Sequence, residues 1–186
     1  MKKILPLILL AGVGFLSYSC DNSSNDPVVV PNPNPVDHDT FPIMMDAPGS
    51  FTAANNYALT ADINIETTDV VLVYRRAGNA WQQIPKTVYV DPATSPSPRR
   101  FEYNFVFSNK EVQVRIENQN FTLSTLTTDQ ANDFLNNQTF RIVLVPADPQ
   151  KNKSAAKIAN VDLSDYNAVV NYYNLDASKI KTISTH

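Results

Sequence analysis

The chemistry open to this chain is bounded first by its histidines and cysteine. Its 186 residues include two histidines, His38 and His186, and one cysteine, Cys20. A Ser-His-Asp or Cys-His nucleophile needs an imidazole held in place by its neighbours. His38 falls in a proline-rich stretch and His186 is the last residue, so neither is expected to be held; zinc is disfavoured on the same ground. Asp37-His38-Asp39 has the residue types of a metal site, but with no second His or Cys nearby it reads as a solvated turn in a linker. Two carboxylates alone suffice for glycoside hydrolysis if they face one another. Glu102, Glu111, Glu117, Asp62 and Asp69 alternate with, or flank, apolar positions and read as solvated strand faces or strand ends. Asp129, Asp133, Asp148, Asp162 and Asp165 cluster late in the chain, without the spacing or the glycine of a helix-loop-helix calcium site. Helix capping and first-turn charge account for Asp129, Asp162 and Asp165 without an ion. No catalytic residue, metal ligand or cofactor is assigned on this pattern, and the chain is read as non-enzymatic.

Other groupings suit binding. Trp81, Tyr74, Tyr89 and Tyr103 are the aromatics that would form a sugar platform, although a β domain of this size also needs aromatic rings inside. Arg75-Arg76 and Arg99-Arg100 are the basic pairs after Cys20 and read as solubilising turn charges, or else as a patch for an anionic partner. Removing Lys2 and Lys3 from the 15 basic residues leaves 13 against 18 acidic ones, a net charge of −5. Nucleic-acid binding demands clustered positive charge and is not expected. Of the four glycines, Gly12 and Gly14 fall in the first twenty residues, leaving no glycine-rich phosphate loop.

Cys20 carries a different chemistry. Lys2 and Lys3 precede an uncharged apolar run over residues 4–16, about the length of a signal-peptide core and well short of the roughly 20 apolar residues that span a bilayer. Leu16-Ser17-Tyr18-Ser19-Cys20 then resembles a bacterial lipobox, with a small residue immediately before the cysteine to be acylated. A lone cysteine bound for an oxidising compartment has no disulfide partner within the chain. Residues 1–19 are read as a lipoprotein signal peptide and Cys20 as the lipidation site. Pro31-Asn32-Pro33-Asn34-Pro35 and the polar run before it make residues 20–41 an extended tether, reaching roughly 60 Å at about 3 Å per residue.

From residue 42 onward the pattern is that of short strands. Tyr57, Leu59, Ala61, Ile63 and Ile65 alternate with polar or small residues, as do Phe101, Tyr103, Phe105 and Phe107, and Val112, Val114 and Ile116. Phe51-Thr52-Ala53 reads as a short strand before them. Val70-Val71-Leu72-Val73-Tyr74 and Phe140-Arg141-Ile142-Val143-Leu144-Val145 are continuous runs expected of strands buried on both faces, the second stopped by Pro146. Turns at Ala77-Gly78-Asn79 and Asn118-Gln119-Asn120 predict two hairpins, the second returning through Phe121-Thr122-Leu123. Residues 128–135 predict one or two helical turns capped by Thr127 or Thr128, and residues 147–160 read as a loop. Tyr166, Val169, Val170 and Tyr173 recur at helical spacing and predict an amphipathic helix over residues 165–173 capped by Ser164. The expected fold class is mainly β: one β-sandwich-like domain over residues 42–186, of about eight short strands with one or two short helices near the C-terminus, a barrel being the alternative.

Four tracts carry a family resemblance: Asp69-Val70-Val71-Leu72-Val73-Tyr74-Arg75, Trp81-Gln82-Gln83-Ile84-Pro85, the strand from Phe140 to Pro146, and Val161-Asp162-Leu163-Ser164-Asp165-Tyr166-Asn167-Ala168-Val169. Together they resemble small envelope lipoproteins of Bacteroidota. The resemblance implies an envelope location and a shared fold, and it transfers no active site. The function expected is that of a non-enzymatic outer-membrane lipoprotein, a binding or accessory module held to the membrane by its N-terminal lipid, with an envelope protein or a polysaccharide as partner. The alternative is a carbohydrate-binding or carbohydrate-processing accessory. Cys20→Ala is expected to abolish palmitate labelling and to release the chain from membranes or leave its precursor unprocessed. Unchanged labelling and fractionation would exclude Cys20 as the anchor.

Overall fold

The computed structural model describes residues 42–65, 70–92, 94–145 and 161–186. The signal segment 1–19, Cys20, the tether with Asp37-His38-Asp39, Asp69, Pro146 and the 147–160 segment with Asp148 lie outside the described residues.

Among the described residues nine strands form two sheets: β1 (Ile43–Gly49), β2 (Ala58–Asp62), β3 (Val70–Ala77), β4 (Ala80–Gln83), β5 (Lys86–Tyr89), β6 (Arg100–Phe107), β7 (Glu111–Glu117), β8 (Gln138–Val145) and β9 (Lys181–Thr182). Sheet 1 runs β4-β3-β8-β1-β9 and sheet 2 runs β2-β7-β6-β5. All pairs are antiparallel except β1 with β9. The chain is mainly β, as expected, and its core lies between the two sheets. Met45, Ala47, Val71, Val73, Phe140, Ile142 and Leu144 of sheet 1 meet Leu59, Ala61, Phe101, Tyr103, Val112, Val114 and Ile116 of sheet 2.

The two continuous apolar runs need a second cover. Leu72 and Tyr74 of β3, Val143 and Val145 of β8 and Met44 of β1 point away from sheet 2 and pack with Val169 and Leu175. Val169 belongs to α2 (Tyr166–Tyr173), the amphipathic helix read from the sequence. Its cap is Asp165, one residue beyond the expected Ser164: the carboxylate accepts from the amides of Asn167 and Ala168 at 2.9 and 3.3 Å. Ser164 instead donates its hydroxyl and its amide to Asp162, and those bonds hold the Asp162 pKa below its usual value.

Both lateral edges of the sandwich are bridged by the chain itself. On one side β4 leads through buried Ile84 and the cis Ile84–Pro85 bond into β5 of the other sheet. On the other, β9 pairs with β1, the Ile183 amide donates to the Asp46 carbonyl at 2.9 Å, and His186 exchanges backbone hydrogen bonds with Thr60 of β2. Here β1 and β2 approach so closely that a Cβ on Gly49 would lie 2.6 Å from a Leu59 methyl and 2.8 Å from the Thr185 hydroxyl. The architecture is a sandwich with closed sides.

Turn chemistry relies on asparagine in this glycine-poor chain. Four of the five non-glycine residues with positive φ are Asn56, Asn118, Asn137 and Asn174, the fifth being Tyr57; asparagine tolerates this region better than most residues. Gly78, at φ 59, forms the tight β3–β4 turn expected from the sequence. The second expected hairpin is different. β7 pairs with β6 and β2, and Leu123–Thr125 is a 3-10 turn. Asn118 directs the chain out of the sheet, and the Asn120 side chain fixes it by accepting from the Arg100 amide at 2.8 Å. The actual hairpin joins β6 to β7 through Ser108, whose hydroxyl accepts from the amides of Lys110 and Glu111. β1 was not anticipated, and Phe51 is a buried loop residue rather than part of a strand.

The aromatic face of β6 is graded. Phe101 and Tyr103 are fully buried, Phe105 is partly buried against the core, and Phe107, the last residue of β6, is 48 % exposed. Phe101→Ala is expected to cost about 3–5 kcal/mol, and Phe107→Ala no more than about 0.5 kcal/mol. Thermal melts check the difference, at several degrees per kcal/mol; equal shifts would contradict this packing.

Candidate binding cleft

One end of the sandwich is closed by α1 (Thr128–Phe134) and the turn into β8. Thr127 caps the helix, as expected, in a capping box: its hydroxyl accepts from the Gln130 amide while the Gln130 side chain accepts from the Thr127 amide. Ala131, Phe134 and Leu135 pack against the core. At the other end of α1 the carbonyls lack intrahelical donors, as in any helix. Two buried polar side chains supply some. Gln138, 6 % exposed, donates to the Asn136 carbonyl at 2.8 Å and, over longer distances, to those of Asp133 and Asn132. Arg75, 8 % exposed, donates from Nη2 to the Asp133 carbonyl at 2.7 Å.

Strand register dictates both positions. Arg75 shares the inward face of β3 with Val71 and Val73, and Gln138 that of β8 with Phe140 and Ile142. The inward faces of two neighbouring strands thus end in polar groups at the same end of the sandwich, and these groups bond. Arg75 Nε and Nη2 both donate to Gln138 Oε1, at 3.0 and 2.7 Å. The guanidinium lies 4.9 Å from the centroid of the Tyr103 ring, at the centre of a cluster with Phe51, Phe101 and Phe140. The Tyr103 hydroxyl donates to the Phe134 carbonyl. Burial holds its pKa well above the tyrosine range, against the opposing pull of Arg75.

The electrostatics are unusual in one respect. All the partners of Arg75 are neutral: an amide oxygen, a peptide carbonyl and a ring face. No ion pair engages it among the described residues. A guanidinium has five N–H donors; three are used here, and the two on Nη1 have no protein partner among the described residues. Among the described residues Nη1 is not one of the fully enclosed side-chain atoms left without a partner. Arg75 lines a cleft of about 370 Å³ between the β3–β4 turn and the α1–β8 turn, with Arg76, Gly78, Asn132, Asp133, Asn136, Asn137, Gln138 and Thr139 as the other walls. That volume falls within the range of roughly 300–1,000 Å³ for small-molecule sites, most of which have more apolar walls than this one.

The structure separates the other groupings read from the sequence. Arg75 and Arg76 are not a matched pair, since Arg75 is buried and Arg76 exposed. Arg99 is engaged by Asp91 at 2.7 Å, which lowers the Asp91 pKa, and it lies over Phe121; Arg100 opens β6 and is exposed. Four of the five carboxylates weighed as catalytic fall into cross-strand pairs on the outward face of sheet 2, Asp62 opposite Glu111 and Glu102 opposite Glu117. The second pair is held by amides, Asn118 donating to Glu102 and Asn104 to Glu117, with Arg115 beside Glu117. The aromatic platform does not assemble. Tyr74 and Tyr103 are fully buried, Tyr89 is 59 % exposed on β5, and Trp81 packs with Tyr166 on the outward face of sheet 1. Of the late aspartates, Asp129 lies in the first turn of α1, Asp165 caps α2 and Asp133 is an exposed cleft wall. Among the described residues no group of three or more His, Cys, Asp or Glu side chains is placed to hold a metal ion, and no helix is long and apolar enough to cross a membrane.

Comparison with protein-family models, with curated proteins and with solved structures returns no match. Gln138→Leu keeps the volume but removes the acceptor used twice by Arg75 and the donor to the α1 carbonyls. Hydrogen bonds to charged groups contribute about 1.5–3 kcal/mol, so the expected loss of stability is about 3 kcal/mol. Arg76→Ala, at the exposed neighbour, is expected to change stability by no more than about 0.5 kcal/mol. Urea denaturation checks both, and a neutral Gln138→Leu would contradict this account of the buried pair.

Proposed function

We propose that this chain is a non-enzymatic, lipid-anchored binding module of the outer membrane, which offers the Arg75 cleft to a ligand of the cell envelope. The observation that carries the reading is the buried guanidinium with two unused donors at the edge of a polar cleft. Groups of this kind fix and orient a ligand, and nothing about them requires bond breaking. The lipobox at Cys20 and the proline-rich tether supply attachment and reach, and the resemblance to Bacteroidota envelope lipoproteins supports the location. The Glu102–Glu117 pair of sheet 2 has a structural explanation in the amides that bond it, so it does not call for an acid-base role.

One observation favours the narrower reading of a carbohydrate-binding accessory. Asn132, Asn136, Asn137 and Gln138 line the cleft, and side-chain amides suit sugar hydroxyls as both donors and acceptors. The test uses the full chain in detergent micelles against polysaccharides and chromogenic glycosides. Saturable binding without turnover is expected, weakened at least about tenfold (roughly 1.4 kcal/mol) by Asn132→Trp, which obstructs the cleft from an exposed helix position. Turnover that disappears in Glu102→Gln or Glu117→Gln would overturn the non-enzymatic reading. Binding indifferent to Asn132→Trp would remove the cleft from it.

A further inference from the structure

From the charge and composition of the cleft walls we infer that its ligand is a carboxylate-bearing saccharide, with the acid group on Arg75 Nη1 and the hydroxyls on the surrounding amides. The inference deepens the proposed function and rests on the cleft being the binding site.

Removing a charge from water is costly unless it is neutralised, or left some access to solvent or ligand. The Asp133 carbonyl at the α1 C-terminus and the Gln138 amide oxygen satisfy three donors of Arg75 and stabilise its charge, but they carry no full negative charge to neutralise it. An anion at Nη1 would supply one. Among the cleft walls Arg75 and Arg76 are positive and Asp133 is negative, a net of +1. A monoanionic carboxylate matches that balance, whereas a phosphate dianion would leave an excess of negative charge in the site.

The rest of the ligand is read from what lines the cleft. Besides the charged residues the walls are three asparagines, Gln138, Thr139 and Gly78, with no apolar side chain among them. An acidic peptide would find no apolar subsite for its side chains, and an aliphatic acid would find nothing to cover its chain. A polyhydroxylated ring finds hydrogen-bonding groups around it. Asn137, held at φ 51 with its amide donating to the Ser50 hydroxyl at 2.9 Å, and Asn136, donating to Asn132 at 2.9 Å, belong to an ordered turn.

The test is calorimetric titration of the full chain in detergent micelles with three probes: an oligogalacturonate, the neutral galactose oligomer of the same length, and acetate. The uronate is expected to bind at least about tenfold more tightly than the neutral sugar, the worth of one hydrogen bond to a charged group, and to weaken as salt is raised. Two rim variants should move its affinity in opposite directions. Asp133→Asn removes a negative charge and should strengthen binding about two- to fivefold, while Asn132→Asp adds one, keeps the oxygen that Asn136 donates to, and should weaken it by a similar factor. Arg75→Lys should erase the preference for the acid; the rim variants carry the test if that protein fails to fold. A neutral sugar bound as tightly as the uronate, with both rim variants silent, would overturn the acid assignment and leave the binding-module reading standing. Acetate as tight as the uronate would overturn the saccharide. If no polysaccharide or oligosaccharide binds at all, the carbohydrate-binding reading of the proposed function falls with it.

Discussion

β8 runs through the molecule with Phe140, Ile142 and Leu144 on one face and Val143 and Val145 on the other, and two sheets alone cannot bury both. Leu72 and Tyr74 of β3 and Met44 of β1 extend the second face. Each such side chain contributes about 1.5–3 kcal/mol when buried. Leaving five of them in water would cost as much as the whole net stability of a domain, about 5–15 kcal/mol. A third layer is therefore required, and α2 provides it. The Tyr74 hydroxyl donates to the Leu163 carbonyl at 2.7 Å, fixing the entry to the helix, and burial, with nearby acidic groups, raises the Tyr74 pKa. From that helix the chain returns along β9 to close the edge between β1 and β2.

Sheet 2 lacks this requirement. Its strands alternate, so one face joins the core and the other faces solvent. That outward face holds like charges directly opposite one another, an arrangement that is destabilising in itself. At Glu102 and Glu117 it is offset by the bonds from Asn118 and Asn104 and by Arg115. The third layer is why the Arg141–Asp46 pair on the outward face of sheet 1 is largely buried, whereas Asp62 and Glu111 on the outward face of sheet 2 are exposed and Glu102 and Glu117 only half-buried. The Arg75 cleft is preorganised by the core, since Arg75 and Gln138 end the inward-facing rows of β3 and β8.

Much of this was legible in the sequence, because alternation and continuous apolar runs report burial directly. The β3–β4 turn, β6, β7, both faces of β3 and β8, and the apolar stripe of α2 all follow from spacing. β1 does not: Ile43-Met44-Met45-Asp46-Ala47-Pro48-Gly49 has neither alternation nor strand-forming composition, and it is a strand because β8 offers seven residues of pairing. Long-range pairing of this kind leaves no local signal. The cleft was half legible. Arg75 falls in phase with Val71 and Val73, and Gln138 with Phe140 and Ile142, so a polar residue continues an inward-facing row at one end of each strand. The doublet Arg75-Arg76 masks that phase, because only its first member faces inward. No pattern in the sequence aligns the two rows, since 63 positions separate the partners.

Arg141 shows what the same sheet does with a cation whose role is structural. Its side chain is 11 % exposed, close to the burial of Arg75, but it points to the opposite face. There Asp46 accepts from Nε and Nη2 at 2.7 and 2.9 Å, Tyr166 accepts from Nη1, and Trp81 lies 4.0 Å away. Burial works against the charge, yet the bonds to Asp46 and Tyr166 outweigh it and raise the pKa. Every nitrogen of that guanidinium is engaged and a carboxylate balances it, so a ligand would gain nothing there. Arg75 is buried to a similar depth with an aromatic ring beneath it, but with neutral acceptors in place of the carboxylate and with one nitrogen left over at the wall of a cleft. A buried guanidinium without its counterion is weakly justified by stability alone, and capping α1 uses only three of its donors. The unpartnered Nη1, one strand away from a cation whose three nitrogens are all engaged and whose charge Asp46 balances, is what makes the Arg75 cleft the place where a ligand would complete the structure.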